Sequence, residues 1–520
     1  MKIFKKFILE IVVGVILAVI FFVTRLVNIT SLPIFTDEAI YTRWAQIARF
    51  DSNWRFISLT DGKNPSFIWA DSIMMKLVDD PLFAGRLVSV FSGFLVCIGI
   101  YFLTREIFKS KEKNGVRMIS LIAVVLTVLF PFLLVYDRLA IYESLTAAFF
   151  VWTLYFQILV VRHMRLDLAM ILGFVLGGSV LTKSSGFLSL YLTPALLLLF
   201  NFSEKLRKKR IAKFVILVIV SAGIAYGMYS IQRLSPFFHI IAEKNTIFVH
   251  PIGEWLKLQP MDKVANFQRN FMGLWDWFLI YFTPPYILLA VLSFFVSKRF
   301  LKEKILLVAW FVIPFLGLCV LGKTLYPRYI LFMTIPLIPL VAYSIYKLFT
   351  RYKNVVLRAI FILIIAALPL RMMYFIIFDF ANAPIPRLDL EQFINGWPAG
   401  GGIRESVDFF NKESEKGPIY VATQGTFGLL PHAYEIYFLN NSNITLKGYW
   451  PTNETIDEEM LKEAETKPVY VVFYQDCMHC ELPGIGPTTW PMDKIASYKK
   501  GIGNTTLTIY KVKTPNAKSE

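Results

Sequence analysis

Long apolar stretches recur along the first 378 residues of the chain and constrain its fold more than any other feature. A helix needs roughly 17–25 mostly apolar residues to cross a hydrocarbon layer of about 30 Å. The predicted spans are, in chain order, 8–28, 82–104, 118–136, 142–161, 167–181, 187–202, 213–231, 275–296, 305–321, 329–346 and 358–378. Because 167–181 and 187–202 are short, this pair is also compatible with a shallow hairpin. The chain is therefore predicted to be mainly α, a polytopic membrane helix bundle of about eleven spans.

The composition excludes an ordinary globular protein. Hydrophobic residues make up 56% of the chain and charged residues 18%, whereas soluble domains have roughly 45–50% and about 25%. A net charge of +17 is also typical of nucleic-acid-binding proteins. Here, however, the basic residues cluster in short loops between the apolar stretches, where positive charge determines topology. We therefore expect contact with membrane lipids and no nucleic acid partner.

Basic clusters alternate along the loops. The N-terminus carries Lys2, Lys5 and Lys6, and every second loop after it is basic. Loops rich in Lys and Arg remain in the cytoplasm, which places the N-terminus there. An odd number of spans then puts the C-terminus outside. The pattern predicts a multi-pass protein of the cell membrane with an extracytoplasmic C-terminal domain.

The spans divide the chain into a transmembrane domain at 1–378 and a soluble domain at 379–520. Two outer loops of the transmembrane domain are long, at 29–80 and at 232–274, and the first contains two amphipathic segments, near 37–50 and 66–78. In the soluble domain, helix-like and strand-like segments alternate, which predicts a small α/β domain. The strand-like runs are 418–424, 468–475 and 506–512, and the helix-like segments lie near 404–414, 427–440 and 456–466.

An acidic pair, Asp37-Glu38, follows the first span directly. Ionisable residues at the edge of a membrane bundle are costly to keep there, so they are candidates for function. A structural interpretation is also open. Thr36 would then cap a helix that begins here, and the two acids would complement the positive end of its dipole.

Four cations lie at predicted outer ends of spans. Arg86 begins the second span, Arg138 lies in the turn between the third and fourth, Lys183 lies in the turn LTKSSG, and Arg328 begins the tenth. We expect Lys183, Arg328 and at least one of Arg86 and Arg138 to share one outer cavity. In the alternative, each side chain extends separately to lipid headgroups, as Lys and Arg near helix ends often do.

These motifs, in this order and topology, resemble the GT-C superfamily of membrane glycosyltransferases. Within it they are most similar to the protein O-mannosyltransferase and aminoarabinose transferase group, and the resemblance covers essentially the whole membrane part. The motifs are Asp37-Glu38 with Tyr41, Gly-Lys-x-Pro at 62–65, x-Arg-Leu at 86–87, Thr-Lys at 182–183 and Pro-Arg-Tyr-x-Leu with Pro336 at 327–336. The resemblance implies a GT-C type bundle and a polyprenyl-phosphate sugar as donor. The acceptor, a protein, lipid or glycan, stays open.

The chain also departs from these relatives. Ile40 stands where the aminoarabinose transferases carry an arginine, and Arg43 follows one turn later. The domain that protein O-mannosyltransferases carry between their later helices is absent from the sequence.

Sugar transfer from such a donor needs a general base and a group of cations. The acceptor hydroxyl loses a proton as it attacks the anomeric carbon, which predicts Asp37 as the base, with Glu38 orienting it or the acceptor. The leaving lipid phosphate gains negative charge, which guanidinium and ammonium groups stabilise. The residues predicted to bind this phosphate are Lys183, Arg328, Arg138 and Arg86. Those predicted to contact the acceptor or the sugar are Tyr41, Lys63, Lys323 and Tyr329.

No cofactor or metal is predicted to be required, because the donor contains no pyrophosphate. Asp37, Asp137 and Glu143 nevertheless have the chemistry to hold a divalent ion between them. The lone pair Cys477 and Cys480 is open to three interpretations, a local disulfide, free thiols or a metal or redox site.

Two other classes of protein are compatible with a many-span chain. An O-antigen ligase or polymerase also joins lipid-linked glycans, but it predicts catalytic basic residues in one large late loop and no early acidic pair. A non-enzymatic transporter of lipid-linked glycans predicts pseudo-symmetric halves and charges near the bilayer midplane. The position of Asp37-Glu38 favours a glycosyltransferase over both.

Overall fold

The computed structural model describes residues 2–200, 207–451, 455–477 and 490–513. Within these residues the chain is mainly helical, as predicted, with a small sheet near the C-terminal end. The α-helices are α1 (Lys2–Leu26), α2 (Thr36–Phe50), α3 (Ser66–Met74), α4 (Pro81–Ile107), α5 (Lys113–Val128), α6 (Pro131–Asp137), α7 (Glu143–His163), α8 (Leu166–Thr182), α9 (Phe187–Tyr191), α10 (Arg207–Ser230), α11 (Ile240–Phe248), α12 (Ile252–Lys257), α13 (Pro260–Phe282), α14 (Pro284–Val296), α15 (Leu301–Leu321), α16 (Leu331–Thr334), α17 (Ile338–Arg351), α18 (Val355–Phe378), α19 (Arg387–Leu390), α20 (Ile403–Ser414), α21 (His432–Phe438) and α22 (Glu458–Ala464). Cys480 and the side chain of Cys477 lie outside the described residues.

The described residues contain seven helices that are long and apolar enough to cross a membrane, or nine if each of two bent helix pairs is one span. Two shorter apolar segments, Leu166–Thr182 and Ser184–Leu199, coincide with the two short spans predicted from the sequence. A multi-pass membrane protein is therefore confirmed. The count of eleven spans and the orientation of the termini stay predictions.

Two predicted spans are bent helix pairs instead of single straight helices. The pair α5 and α6 is bent by 56°, and the pair α13 and α14 by 93°. Pro131 opens α6 and Pro284 opens α14. Proline has no N–H to donate and disfavours a helical residue before it, so the preceding helix ends there. Thr283, between α13 and α14, also has a positive φ of 62°.

The first outer loop forms helices α2 and α3 where amphipathic segments were predicted. The prediction that Thr36 caps α2 is wrong, because Thr36 is the first residue of the helix and Phe35 precedes it at the capping position. The Thr36 hydroxyl instead donates to the Pro398 carbonyl at 2.8 Å. The second outer loop contains α11, α12 and the beginning of α13, which starts at Pro260 instead of near residue 275.

The C-terminal domain predicted at 379–520 contains a five-stranded mixed sheet within residues 379–451, 455–477 and 490–513, and its boundary at residue 379 stays a prediction. The strand order of the sheet is β2-β1-β3-β5-β4. β1 is parallel to β2 and β3, and β5 is antiparallel to β3 and β4. β2 and β4 were not predicted, and both are edge strands with polar and exposed positions that weaken the apolar pattern. The strands are β1 (Ile419–Gln424), β2 (Ile444–Tyr449), β3 (Val469–Cys477), β4 (Met492–Lys499) and β5 (Thr505–Val512).

A buried carboxyl group connects the C-terminal domain to the membrane helices. Asp389 in α19 accepts hydrogen bonds at its Oδ2 from the hydroxyls of Tyr136 and Tyr281, at 2.8 Å and 2.5 Å. These tyrosines lie in α6 and α13. Burial raises the pKa of Asp389 to about 7, although the two tyrosine bonds act in the opposite direction.

This pKa predicts a pH-dependent stability that Asp389→Asn removes. An unfolded Asp has its ordinary pKa near 3.8, so the folded protein binds the proton more tightly and loses stability as the pH rises from about 4 to 7. The asparagine amide oxygen accepts both tyrosine bonds without the charge. We expect Asp389→Asn to be more stable than wild type at pH 8, by on the order of 4 kcal/mol, and this advantage to fall to less than half at pH 5.

Thermal unfolding of the purified protein at both pH values measures this difference. Asp408→Asn, which removes an exposed carboxylate in α20, is the matched control and has no such advantage at either pH. An equal shift at pH 5 and pH 8 contradicts the assignment to the Asp389 proton.

Candidate active site

The first turn of α2 directs its two acidic side chains to different partners. Glu38 is completely buried and forms a bidentate ion pair with Arg86 of α4, with both N–O distances at 2.9 Å. The backbone N–H groups of Phe35 and Ala140 also donate to the Glu38 carboxylate, at 2.9 Å and 2.6 Å. Glu38 therefore fixes the beginning of α2 to the membrane helices and has no direct access to a substrate.

Asp37 remains partly accessible, with 22% of its side chain exposed. Its Oδ2 accepts a hydrogen bond from Arg328 Nη1 at 2.8 Å. Burial raises the pKa of Asp37, but the positive charges of Arg328, Lys63 and Lys183 outweigh this effect and lower the pKa below its ordinary value. Asp37 is therefore a carboxylate at neutral pH and is able to accept a proton.

A cavity of about 410 Å³ lies beside this ion pair. One part of its wall is polar or charged, and the remainder is apolar and belongs to the membrane helices. The polar part comprises Tyr41, Lys63, Asn64, Tyr142, Glu143, Lys183, Ser184, Ser185, Lys244, Asn245, Arg328 and Tyr329, and the apolar part includes Phe187, Leu188, Tyr191, Pro314, Gly317, Leu318, Leu321 and Phe332. The shape and lining suit a ligand with a charged head and an apolar tail.

Lys183 and Arg328 meet at this cavity through Glu143. Lys183 Nζ donates to Glu143 Oε1 at 2.9 Å, and Arg328 Nε lies 3.9 Å from the same oxygen. Arg328 Nε is buried and has no hydrogen-bond partner within the described part of the chain. The ammonium group of Lys183 also lies 4.8 Å from the ring centroid of Tyr329. Two cations from distant parts of the sequence thus lie close to the same carboxylate oxygen, Glu143 Oε1, in the cavity wall.

Arg86 and Arg138 do not line this cavity, so the expectation that one of them would join Lys183 and Arg328 does not hold. Besides Glu38, Arg86 donates to the carbonyls of Ile29, Leu32 and Pro33. Arg138 donates to carbonyls at the end of α1, which lack partners within the helix; the acceptors are those of Thr24, Arg25 and Val27, at 3.2, 2.9 and 2.7 Å. Both guanidinium groups are buried and donate hydrogen bonds to backbone carbonyl oxygens.

Three of the four residues predicted to contact sugar or acceptor line the cavity, namely Tyr41, Lys63 and Tyr329. The ring of Tyr41 packs edge-to-face on Tyr142, with centroids 4.6 Å apart. Burial lowers the pKa of Lys63, and the charges of Arg328 and Lys244 act in the same direction. Lys323 is not part of the lining, because its Nζ donates to Glu254 of α12 at 2.8 Å.

The cavity also contains residues that the sequence did not identify. Lys244 of α11 forms an ion pair with Asp61, and Asn245 beside it donates to the Ser184 hydroxyl at 3.2 Å. Residues of the second outer loop therefore line the cavity and contact the first outer loop. The richness of the second loop in basic residues was visible in the sequence, but no spacing distinguished Lys244 from its basic neighbours.

The three carboxylates considered for a divalent ion do not come together. Asp137 is buried in the bundle, where it pairs with Arg25 at 3.2 Å and accepts a bond from the Ser144 hydroxyl at 2.8 Å. Asp37 and Glu143 are instead engaged by Arg328 and Lys183. Across the described ranges, no three His, Cys, Asp or Glu side chains are grouped as metal ligands.

Comparison with known proteins finds a family match over part of the chain and a shared fold. Residues 62–226 match the family described as dolichyl-phosphate-mannose-protein mannosyltransferase. No curated protein sequence gives a significant match. The sequence resemblance to the GT-C superfamily and the predicted GT-C type fold are confirmed by the family match together with the structural comparisons that follow.

The solved structures share the fold at low sequence identity. ArnT from Cupriavidus metallidurans in the apo state aligns with a TM-score of 0.57 and 13% identity, over 98% of this chain and 99% of ArnT. The same ArnT bound to undecaprenyl phosphate aligns with a TM-score of 0.52 and 13% identity, over 99% and 100% of the two chains. The Archaeoglobus fulgidus oligosaccharyltransferase tethered to an acceptor peptide gives 0.53 and 14%, over 91% of this chain and 70% of the enzyme.

The different partners of Glu38 and Asp37 predict different effects of neutralising them. Glu38→Gln leaves the buried Arg86 guanidinium without a counter-charge, and breaking a buried ion pair costs about 3–5 kcal/mol. Asp37→Asn leaves an amide oxygen that still accepts from Arg328, which keeps Glu143 as a nearby counter-charge, so we expect it to cost less than Glu38→Gln, about 1–2 kcal/mol. Thermal or denaturant unfolding of the two purified variants measures the difference. Equal stabilities for Glu38→Gln and wild type contradict an anchoring role for Glu38.

Proposed function

We propose that this chain, which has the GT-C type fold, is a glycosyltransferase that moves a sugar from a polyprenyl-phosphate donor to an acceptor hydroxyl at the outer face of the cell membrane. The observation that carries the proposal is the ion pair of Asp37 and Arg328 beside the cavity that Lys183 also lines. This arrangement combines an accessible carboxylate with two cations next to an apolar chamber. Such a combination matches what transfer from a lipid phosphate requires.

The donor phosphate is assigned to the position between Lys183 and Arg328. Arg328 Nε has a free N–H there, and Lys183 has donors beyond the one that it gives to Glu143. A phosphate oxygen at this position would accept charge-assisted bonds from both groups. It would take the place now occupied by the Glu143 carboxylate, which then becomes available to a sugar hydroxyl. Arg86 and Arg138 have no part in this assignment.

The apolar wall of the cavity is assigned to the polyprenyl chain. Leu188, Tyr191, Gly317 and Leu321 line this wall, and the Tyr191 side chain in α9 is largely exposed. A hydrocarbon chain leaving the polar part of the cavity would therefore enter the bilayer between α9 and α15. The undecaprenyl phosphate of ArnT and the dolichol-phosphate of the archaeal AglB are ligands of this chemical class.

Asp37 is assigned the role of general base. Arg328 presents different edges of its guanidinium to the two functional groups, with Nη1 directed to Asp37 and Nε towards Glu143, to which Lys183 also donates. In this assignment the base and the phosphate lie on different edges of Arg328, and the anomeric carbon is placed between them. The acceptor oxygen bonds to that carbon as its proton passes to Asp37, and the carbon–oxygen bond to the phosphate breaks with its electron pair leaving on the phosphate. The configuration inverts.

The remaining lining residues are assigned to the sugar and the acceptor. Burial, reinforced by the charge of Asp37, raises the pKa of Tyr41 well above its ordinary value, so its hydroxyl stays a neutral donor. Lys63 and Tyr329 complete the wall beside it. The reaction as proposed requires no metal or other cofactor, because Arg328 and Lys183 supply the positive charge for the leaving phosphate.

Replacement of Asp37 by Asn tests the proposal. We expect turnover to fall by roughly 10²–10⁴-fold, because the acceptor proton has no base to receive it. The substrate is a polyprenyl-phosphate mannose, chosen from the family match, with other polyprenyl-phosphate sugars assayed in parallel. Release of polyprenyl phosphate from the wild-type protein and the variant in liposomes gives the rates.

Asp51→Asn provides the matched control, since Asp51 follows the last residue of α2, accepts a bond from the Asn53 backbone N–H and does not line the cavity. It should retain the wild-type rate. Wild-type turnover by a folded Asp37→Asn protein would show that another group is the base.

A further inference from the structure

The segment just before Asp37 pairs with a segment of the C-terminal domain. Phe35 and Ala399 form an antiparallel bridge, and the Gly400 N–H donates to the Ile34 carbonyl at 2.7 Å. The Pro398 carbonyl accepts two bonds from Thr36, from its backbone N–H at 3.0 Å and from its hydroxyl at 2.8 Å. Residues 34–36 are therefore held by residues 398–400, immediately next to the proposed base.

The approach of the two segments is as close as glycine permits. A Cβ at Gly400 would lie 2.4 Å from the Ile34 carbonyl oxygen and 2.5 Å from Ile34 Cγ2. Contacts this short force the backbones apart, because the nearest obstructing atom belongs to the backbone. Gly400 thus sets the distance between the C-terminal domain and the start of α2.

The middle of α2 is held by the same domain. Arg43 Nε pairs with Glu435 of α21 at 3.0 Å, and Gln46 donates to the Ile436 carbonyl at 2.9 Å. Glu38 attaches the first turn of α2 to α4, and Arg49 near the end of α2 donates to the Met75 carbonyl. Attachment to the C-terminal domain at Thr36 and again two to three turns later adds contacts that fix the start and the direction of the helix.

We propose that the C-terminal domain positions the base of the reaction, with Thr36 and Gly400 as the positioning residues that hold Asp37 against Arg328. The inference rests on the proposed function of Asp37. Arg328 begins a candidate membrane span, and the start of α2 is held both by the Glu38–Arg86 pair and by the C-terminal domain. The geometry between base and donor site thus depends also on how the two parts of the protein dock. Displacing a catalytic group by about 1 Å can lower a rate 100-fold.

Two variants of different severity test this role. Gly400→Ala forces residues 34–36 and 398–400 apart, and we expect kcat to fall roughly 10- to 100-fold. Thr36→Val removes only the hydroxyl bond to Pro398, and we expect a loss of roughly fivefold, the equivalent of one hydrogen bond. Thr36→Ser keeps the hydroxyl and should retain most of the activity. Thr466→Val, which removes a hydroxyl bonded to its own helix end in the C-terminal domain, is the matched control.

Three measurements separate positioning from loss of folding. Turnover gives kcat, titration with polyprenyl phosphate gives the Kd of the donor site, and the acid limb of the kcat/KM profile follows Asp37. The charged neighbours that lower the pKa of Asp37 are Arg328, Lys63 and Lys183. Moving the carboxylate away from Arg328 weakens this effect, so the acid limb shifts to higher pH in Gly400→Ala.

The role is supported by a lower kcat in both variants with a Kd within about twofold of wild type and a shifted acid limb in Gly400→Ala. It is overturned if folded Gly400→Ala and Thr36→Val proteins keep the wild-type kcat, or if a weaker Kd accounts for the whole loss. Full activity in these variants beside an inactive Asp37→Asn protein contradicts the positioning role alone and leaves the proposed function standing.

Discussion

The buried ion pair of Glu38 and Arg86 is the interaction on which the arrangement of the site depends. Both side chains are fully buried, and all four N–H donors that reach the Glu38 carboxylate come from other parts of the fold or from the residue before α2. A buried charge pair is tolerated only when its hydrogen bonds are satisfied in this way. The pair fixes the first turn of α2 against the beginning of α4.

The position of Asp37 follows from that of Glu38. Adjacent residues on a helix point about 100° apart, so burying Glu38 against α4 turns Asp37 towards Arg328, which lines the cavity. Two neighbouring acids of similar chemistry thereby acquire different roles. Glu38 is paired with the buried guanidinium of Arg86 and anchors the helix. Asp37 has a lowered pKa and stays partly accessible to solvent. Arg328 then links the carboxylate to the region that Lys183 and Glu143 line.

Much of this could be predicted from the sequence, because membrane helices leave strong local signals. The lengths of the apolar stretches indicated the spans, and charged residues at the predicted outer ends of spans indicated Asp37, Lys183 and Arg328 as site candidates. The roles of Arg86 and Arg138 could not be inferred in the same way. Each lies at a helix end like Lys183, and only the fold reveals that backbone carbonyls surround them.

Other features were hidden for different physical reasons. Lys244 reaches the cavity because α11 folds over the first outer loop, a long-range contact without a sequence period. The edge strands β2 and β4 carry polar residues that mask the alternation typical of strands. The kinks before Pro131 and Pro284 were signalled by the prolines themselves, but apolar composition continues through both bends.

An experimental structure of the protein with polyprenyl phosphate bound is the measurement that tests the central claim most directly. The account predicts a phosphate within hydrogen-bond distance of Lys183 Nζ and Arg328 Nε, Asp37 still on the Nη1 edge of Arg328, and Glu38 buried against Arg86. A phosphate bound by Arg86 or Arg138, or Glu38 instead of Asp37 facing the ligand, would contradict it.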